Sequence, residues 1–291
     1  MEVVDARVRL PQDRRPSAGY AAPPELVEQY DRVLDLSSKM NAGSLVGLLA
    51  ELDAAGIGRA VMHAESEGGE DADALNDALR AVLDEHPDRF VGVGCVDPSR
   101  PFPGRLARDA ARCHELGFAG VSFQPAFVGR DIDDRHLYPL YARAEELGLV
   151  VAVHTGVTYS RLHPIRHERP EMLDQVACDF PDLRLVACHA GWPWATEFAA
   201  VARRHPTVYL EFGGLAPKYV ARPGTGWDAL FGMMRTVLRD QVLYGSDWPV
   251  MAPSRALAEW RDAGLPGAAL DALLSVNVRR LFGLDGAAPG S

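Results

Sequence analysis

Three ionisable residues of this chain close short apolar runs, each just ahead of a glycine or proline turn. His154 ends Val150-Val-Ala-Val-His-Thr-Gly, His189 ends Leu185-Val-Ala-Cys-His-Ala-Gly, and Asp247 follows Val242-Leu-Tyr-Gly-Ser and precedes Trp-Pro. Two imidazoles and a carboxylate brought to one place can move protons near neutral pH, or hold a divalent cation with one position left open for water. A single strand-end histidine has a ready packing explanation; three such groups in corresponding positions do not.

Lesser candidates stand at similar points. Gln124 follows Gly120-Val-Ser-Phe and His63 follows Ala60-Val-Met. Either side chain could touch a substrate, and for either a polar packing role stays open. Asp97-Pro98 reads first as a turn. Trp192, Trp194 and Trp248 beside the motifs are expected to wall a pocket or to be plain core. The stretch 157–169 holds Tyr159, Arg161, His163, Arg166 and His167, either as a clamp for an anion, with Arg161 as its cation, or as a solvated surface loop. Near the N-terminus the run Val3-Val-Asp-Ala-Arg-Val-Arg places Asp5, Arg7 and Arg9 on one face of an extended strand, by the two-residue period of side chains.

These residues become neighbours only if their strands are parallel and end on one face. Eight apolar runs recur: 3–9, 60–63, 90–96, 118–123, 149–154, 185–189, 207–212 and 242–244. Between them lie stretches with helical apolar spacing such as 44–55, 72–85, 106–116, 137–147 and 170–180. Strands alternating with helices predict parallel pairing through right-handed crossovers. Eight units in about 250 residues predict an α/β fold closed as a (β/α)8 TIM barrel, with reactive groups at the C-terminal strand ends. A doubly wound open sheet is the competing architecture; no glycine-rich phosphate loop follows the first run, where Arg-Leu-Pro-Gln-Asp-Arg-Arg-Pro stands. One domain is expected over 1–284, with a long insertion at 10–41 acting as lid or subunit contact, a short helix within it near 25–34, and a flexible tail at 285–291.

Composition narrows the function classes. The 291 residues are 47% hydrophobic and 24% charged, with a formal net charge of -10. That sign disfavours nucleic acid and anionic membranes as partners. No apolar run reaches the roughly 18 residues of a spanning helix, and the N-terminus has no basic segment ahead of an apolar one. A cytoplasmic location is expected. Cys95, Cys113, Cys178 and Cys188 form no Cys-x-x-Cys pair and read as reduced structural thiols.

The order His154-Thr-Gly, then Phe180-Pro-Asp-Leu-Arg-Leu-Val-Ala-Cys-His-Ala-Gly-Trp-Pro-Trp, then Tyr244-Gly-Ser-Asp-Trp-Pro, then Asn277-Val-Arg-Arg-Leu-Phe-Gly-Leu resembles the amidohydrolase superfamily. The likeness is to its amidohydrolase-related branch, with aminocarboxymuconate-semialdehyde decarboxylase, resorcylate decarboxylases and dicarboxylate lactonases. It covers nearly the whole chain and speaks to fold and family, not to substrate. It implies His154 as the fifth-strand metal ligand, His189 as the histidine that positions or deprotonates the nucleophile, and Asp247 as the eighth-strand ligand and proton acceptor. It also implies an Asp-x-His-x-His first strand. Here Arg7 and Arg9 stand in place of both histidines, and a guanidinium, always protonated, has no lone pair for a metal.

Three readings follow. In the first, no metal is needed: Arg7 and Arg9 fix a carboxylate or stabilise an oxyanion, and Asp247 and His189 move protons, in hydrolysis of an amide, ester or lactone or, alternatively, in non-oxidative decarboxylation. In the second, one divalent metal, zinc by donor type, sits at a shifted position on His154 and His189 with a third ligand from Asp247, Asp97 or His63. In the third, the barrel has lost catalysis and binds anions, or Asp5 simply neutralises a buried arginine. Arg7, Arg9, Gln124, His63, Arg161 and Trp192 are the substrate-binding candidates. The expected substrate is a small anionic, carboxylated compound; no organic cofactor is expected, and a homodimer is the default assembly. Arg7→Ala is expected to abolish activity and leave the fold intact.

Overall fold

The computed structural model describes residues 2–16, 24–66 and 69–285. Its eight strands are β1 (Val3–Arg9), β2 (Ile57–His63), β3 (Phe90–Cys95), β4 (Gly120–Phe123), β5 (Val150–His154), β6 (Arg184–Cys188), β7 (Val208–Glu211) and β8 (Val242–Leu243). They pair in parallel in sequence order. The ring closes by backbone bonds between first and last strand regions: Ala6 N–H to Tyr244 O at 2.8 Å, Asp247 N–H to Arg7 O at 2.9 Å and Arg9 N–H to Trp248 O at 2.9 Å. This is the TIM barrel that the alternation of runs predicts.

Local chemistry sets the intervening helices. Ser44 caps the helix Leu45–Ala55 by accepting the Gly47 N–H at 3.1 Å, and the helix stops at Gly56 with φ of 70°. Asp71 caps Ala72–Glu85, which buries Leu75, Leu79, Val82 and Leu83 against the barrel. Pro103 and Pro170 open the helices Pro103–Glu115 and Pro170–Asp179 at positions where the missing N–H costs nothing. Between helices and sheet lies the larger apolar core. A second cluster takes Val4 and Ala6 of β1, Val61, Val93, Val150, Ala152, Val186, Cys188, Tyr209 and Leu243 from six further strands, and Val278 and Leu281. Residues from seven strands can meet only inside the barrel, so this cluster is its filled interior beneath the mouth.

β1 departs from simple alternation. Its pairing with β2 shifts register between Asp5 and Val8. Val4 and Ala6 join the interior while Val3 and Val8 pack outward, so the shift separates Asp5 from Arg7 and Arg9. The expectation that all three share a face is corrected. Asp5 accepts the N–H groups of Arg7 (3.1 Å) and Ser246 (2.9 Å) instead of neutralising a guanidinium. Burial lifts its carboxyl to about 7, against the lowering effect of these bonds.

Within 10–41 the described part holds helices Pro24–Leu34 and Leu36–Ala42; residues 17–23 lie outside the described residues, as does the expected tail from 286 onward. The insertion reaches the barrel mouth through Tyr30, whose hydroxyl is 2.7 Å from Thr158 Oγ1, and through Lys39, whose Nζ donates to Val250 O at 3.0 Å.

Candidate active site

A cleft opens at the C-terminal ends of the strands, with Arg9, Gln124, His154, His189, Trp192 and Asp247 on its walls. Tyr30 and Leu34 of the insertion and Tyr159 of the loop after β5 line its outer part. Two of its ionisable groups sit on unusual backbone. Asp247 has φ of 55° and His189 φ of 59°, left-handed values that a side chain with a Cβ adopts at a cost and that gather at functional sites. The strand-ending glycines are needed beside them. At Gly214, φ is 71° and an added Cβ would lie 3.2 Å from Asp247 Oδ2; at Gly213 it would lie 2.4 Å from Glu211 Oε1.

On the β1–β8 side the site is a dense ionic cluster. Asp247 Oδ1 accepts from Arg7 Nε at 3.1 Å and Arg9 Nε at 2.9 Å, and its Oδ2 accepts from Arg9 at 3.0 Å. A second carboxylate, Glu65, takes a hydrogen bond from the far end of the Arg7 guanidinium and lies 3.8 Å from Arg9 Nε. Arg7, Glu65 and Asp247 are almost wholly buried. Burial alone would raise the Asp247 carboxyl, but the charges of Arg9 and Arg7 more than offset it and hold the group far below the usual range. Glu65 is lowered by the same arginines against the same burial. Glu211, the last residue of β7, behaves oppositely: burial pushes it up to about 8, with Arg7 offsetting only part.

On the β5–β6 side the groups are imidazoles with fixed protons. His189 Nδ1 lies 2.7 Å from Gly213 O; a carbonyl only accepts, so Nδ1 carries the hydrogen and Nε2 keeps its lone pair. Burial, with the positive charge of Arg7, lowers this imidazole to about 3, and it is neutral at physiological pH. His154 Nδ1 is 2.8 Å from Glu168 Oε2. Glu168 is fully buried, and its other oxygen accepts the Ala126 N–H at 3.2 Å. This carboxylate therefore fixes the His154 ring and leaves Nε2 as the nitrogen for the cleft. The two rings stand edge to face, 4.8 Å between centroids.

Of the residues expected at the site, His154, His189, Asp247, Arg9, Gln124 and Trp192 meet at the cleft. Arg7 lies beneath it, on a smaller cavity with Glu65, Ser122 and Cys188. His63 lines neither cavity; its Nε2 is 3.2 Å from Ala6 O and burial lowers it to about 4, the pattern of a neutral core histidine. Arg161 is exposed and lies off the cleft wall; its backbone N–H donates to Gln29 Oε1 at 2.5 Å. Asp97 accepts from Ser99 N–H (2.9 Å) and Oγ–H (2.6 Å) on one oxygen, as a turn residue does.

The sequence reading missed Glu65, Glu168 and Glu211. Glu211 carried the signal that singled out His154, since it ends Val208-Tyr-Leu-Glu before Phe-Gly-Gly. Glu65 and Glu168 lie in loops and had no such mark.

A shifted metal position does not fit these residues. Both Asp247 oxygens are engaged by guanidinium cations. Among the described residues, the group of His, Cys, Asp and Glu side chains whose donor atoms converge does not include His154, His189 or Asp247.

The chain belongs to the amidohydrolase family: the family described as Amidohydrolase matches residues 4–284. Over 84 residues it is 33% identical to a 2-amino-3-carboxymuconate-6-semialdehyde decarboxylase of Dictyostelium discoideum, spanning 28% of this chain and 23% of that protein, so about a quarter of that relative is matched. Among solved structures, an uncharacterized TIM-barrel protein of Bordetella bronchiseptica superposes with a TM-score of 0.78 at 26% identity, over 99% of this chain and all of the other. The 5-carboxyvanillate decarboxylase of Novosphingobium aromaticivorans, complexed with manganese and 4-hydroxy-3-methoxy-5-nitrobenzoic acid, superposes with a TM-score of 0.65 at 17% identity, over 97% of this chain and 96% of that one. The protein is thus an enzyme of the amidohydrolase superfamily.

Proposed function

We propose that this protein decarboxylates a small, planar, carboxylated aromatic or conjugated acid, using the Arg7–Arg9 pair where the family resemblance implies the two metal-binding histidines of the first strand. The observation that carries this reading is the double clamp on Asp247. A carboxylate held by two guanidinium groups is a poor proton acceptor, so the water activation expected of it in hydrolysis is weakened. Decarboxylation needs only a held carboxylate, a proton donor and an apolar exit for CO2. The activity named for the partial relative supports the same class.

Arg9 brings positive charge to the cleft wall, and Gln124, whose side chain makes no hydrogen bond among the described residues, offers its amide to the carboxylate. Trp192, Tyr159 and Tyr30 give the flat walls a planar ring requires. His154, its ring fixed by Glu168, delivers a proton from Nε2 to the carbon bearing the carboxylate. The carbon–carboxylate bond then breaks, its electron pair restores the conjugated system and CO2 leaves. His154 is reprotonated by solvent, so each turnover consumes one proton. His189, a neutral imidazole 4.8 Å away, accepts a hydrogen bond from a substrate hydroxyl.

His189 also favours a second reading, because a neutral Nε2 lone pair can deprotonate a water for ester, amide or lactone hydrolysis. One experiment separates the two: a panel of hydroxylated benzoic, phthalic and dienoic acids with matching lactones and esters, assayed in D2O with chelator. Release of CO2 with one deuterium at the vacated carbon is expected. Ester or lactone cleavage without CO2 would overturn the decarboxylase reading.

A further inference from the structure

On the outer surface of the barrel three different metal-donor types come together. The helix Pro170–Asp179 carries Asp174 and Cys178 one turn apart, and His205 directly follows the neighbouring helix Ala195–Arg204 as its C-terminal cap. A carboxylate oxygen of Asp174, the Cys178 sulfur and a ring nitrogen of His205 all lie within 4.8 Å of one another, the one such convergence among the described residues. Helices of this barrel run opposite to the strands, so Cys178 and His205, at helix C-terminal ends, lie toward the face away from the mouth.

We propose that Asp174, Cys178 and His205 form a zinc-type metal site that clips the two helices together, with solvent as the fourth ligand. A thiol beside an imidazole selects zinc and other transition metals over magnesium or calcium, and three protein ligands suffice for a tetrahedral ion. The ordinary bond lengths place such ligands about 3.5 Å apart, so Cys178, the exposed member, must approach the Asp174–His205 pair by about an ångström, within reach of its side-chain torsion. His205 Nε2 is already 2.7 Å from Asp174 Oδ1, and the metal takes the place of the hydrogen between them. Arg204 occupies the other oxygen, Oδ2, at 2.7 Å; it leaves Oδ1 to the metal while its charge moderates the affinity. On binding, the neutral His205 ring moves its proton from Nε2 to Nδ1 and Cys178 gives its thiol proton to solvent, one proton per ion.

The site is independent of the decarboxylase reading, and it changes how a metal found in the protein would be interpreted. Bound zinc in a stoichiometric elemental analysis would belong to the outer helices. The test is titration of the chelator-stripped full chain with Co2+, then Zn2+ in competition. One equivalent is expected, with a near-ultraviolet thiolate-to-cobalt charge-transfer band. Cys178→Ser and His205→Gln should each remove the band and weaken zinc at least about tenfold, and turnover should stay unchanged. Two results would overturn the proposal: no binding at millimolar metal, or binding unaltered in both variants. Metal lost instead in His154→Asn would place the ion at the mouth and count against both proposals.

Discussion

The two halves of the mouth handle charge in opposite ways. On the β1–β8 side, full charges are buried and paired: Arg7 and Arg9 against Asp247 and Glu65. On the β5–β6 side the rings are turned by single hydrogen bonds to Glu168 and to a backbone carbonyl, with a nitrogen left for the cleft. The first arrangement fixes an electrostatic field and resists proton exchange. The second is built to pass protons. Arginines can replace a cation's charge without replacing its open coordination positions, so a proton donor must come from elsewhere in the site.

Removing Arg7 attacks the first half most directly. The structure attaches a stability cost to Arg7→Ala, because truncation leaves Asp247 and Glu65 buried with one cation fewer. Breaking a buried pair from one side costs about 3–5 kcal/mol. Urea denaturation should show a loss of that order, and a variant as stable as the parent would mean the cluster is hydrated. Arg9, at the cleft wall, should cost less in stability than Arg7 when replaced.

In the second half the largest effect falls on turnover. His154→Asn keeps a polar group of similar size but has no exchangeable ring proton, and kcat/KM should fall by about 10²–10⁴ with the melting temperature little changed. Retained turnover would break the assignment of proton delivery to this side. Glu168→Gln sharpens it further: an amide can still meet Nδ1 but cannot compensate an imidazolium. A loss of about ten- to a hundredfold in kcat, with the alkaline limb of the pH profile moved to lower pH and partial recovery in Glu168→Asp, marks positioning through His154. A uniform drop with an unchanged profile would mark a purely structural role.

The same contrast explains what could be read from sequence. Eight apolar runs ending in polar residues specify a parallel barrel and its reactive face, since the two-residue strand period and the helical spacing are local signals; the structure accordingly brings His154, His189, Asp247, Gln124 and Arg9 to one cleft. The register shift in β1 is a long-range outcome of pairing with both β2 and β8, so the local period misplaced Asp5. Glu65 and Glu168 are brought in by loop paths that no local pattern encodes.

The smallest predicted effect lies below the mouth, where the halves meet at Glu211. Its carboxyl is raised from 4.5 to about 8 by burial. Between these values the unfolded chain has lost the proton and the folded chain keeps it, so the unfolded state binds fewer protons and stability falls as pH rises. Asp5, raised to about 7, adds the same slope up to that point. His63 and His189, lowered to about 4 and about 3, act in the other direction only below their ordinary 6.5. From pH 6.5 to 8 the carboxyls act alone, and the fall should be on the order of 2 kcal/mol. Glu211→Gln imitates the protonated acid, can still accept the Gly213 N–H, and should flatten most of this slope while leaving stability at pH 6 nearly unchanged. An unaltered slope would mean that Glu211 is ionised beside Arg7, extending the charged half of the mouth across to β7.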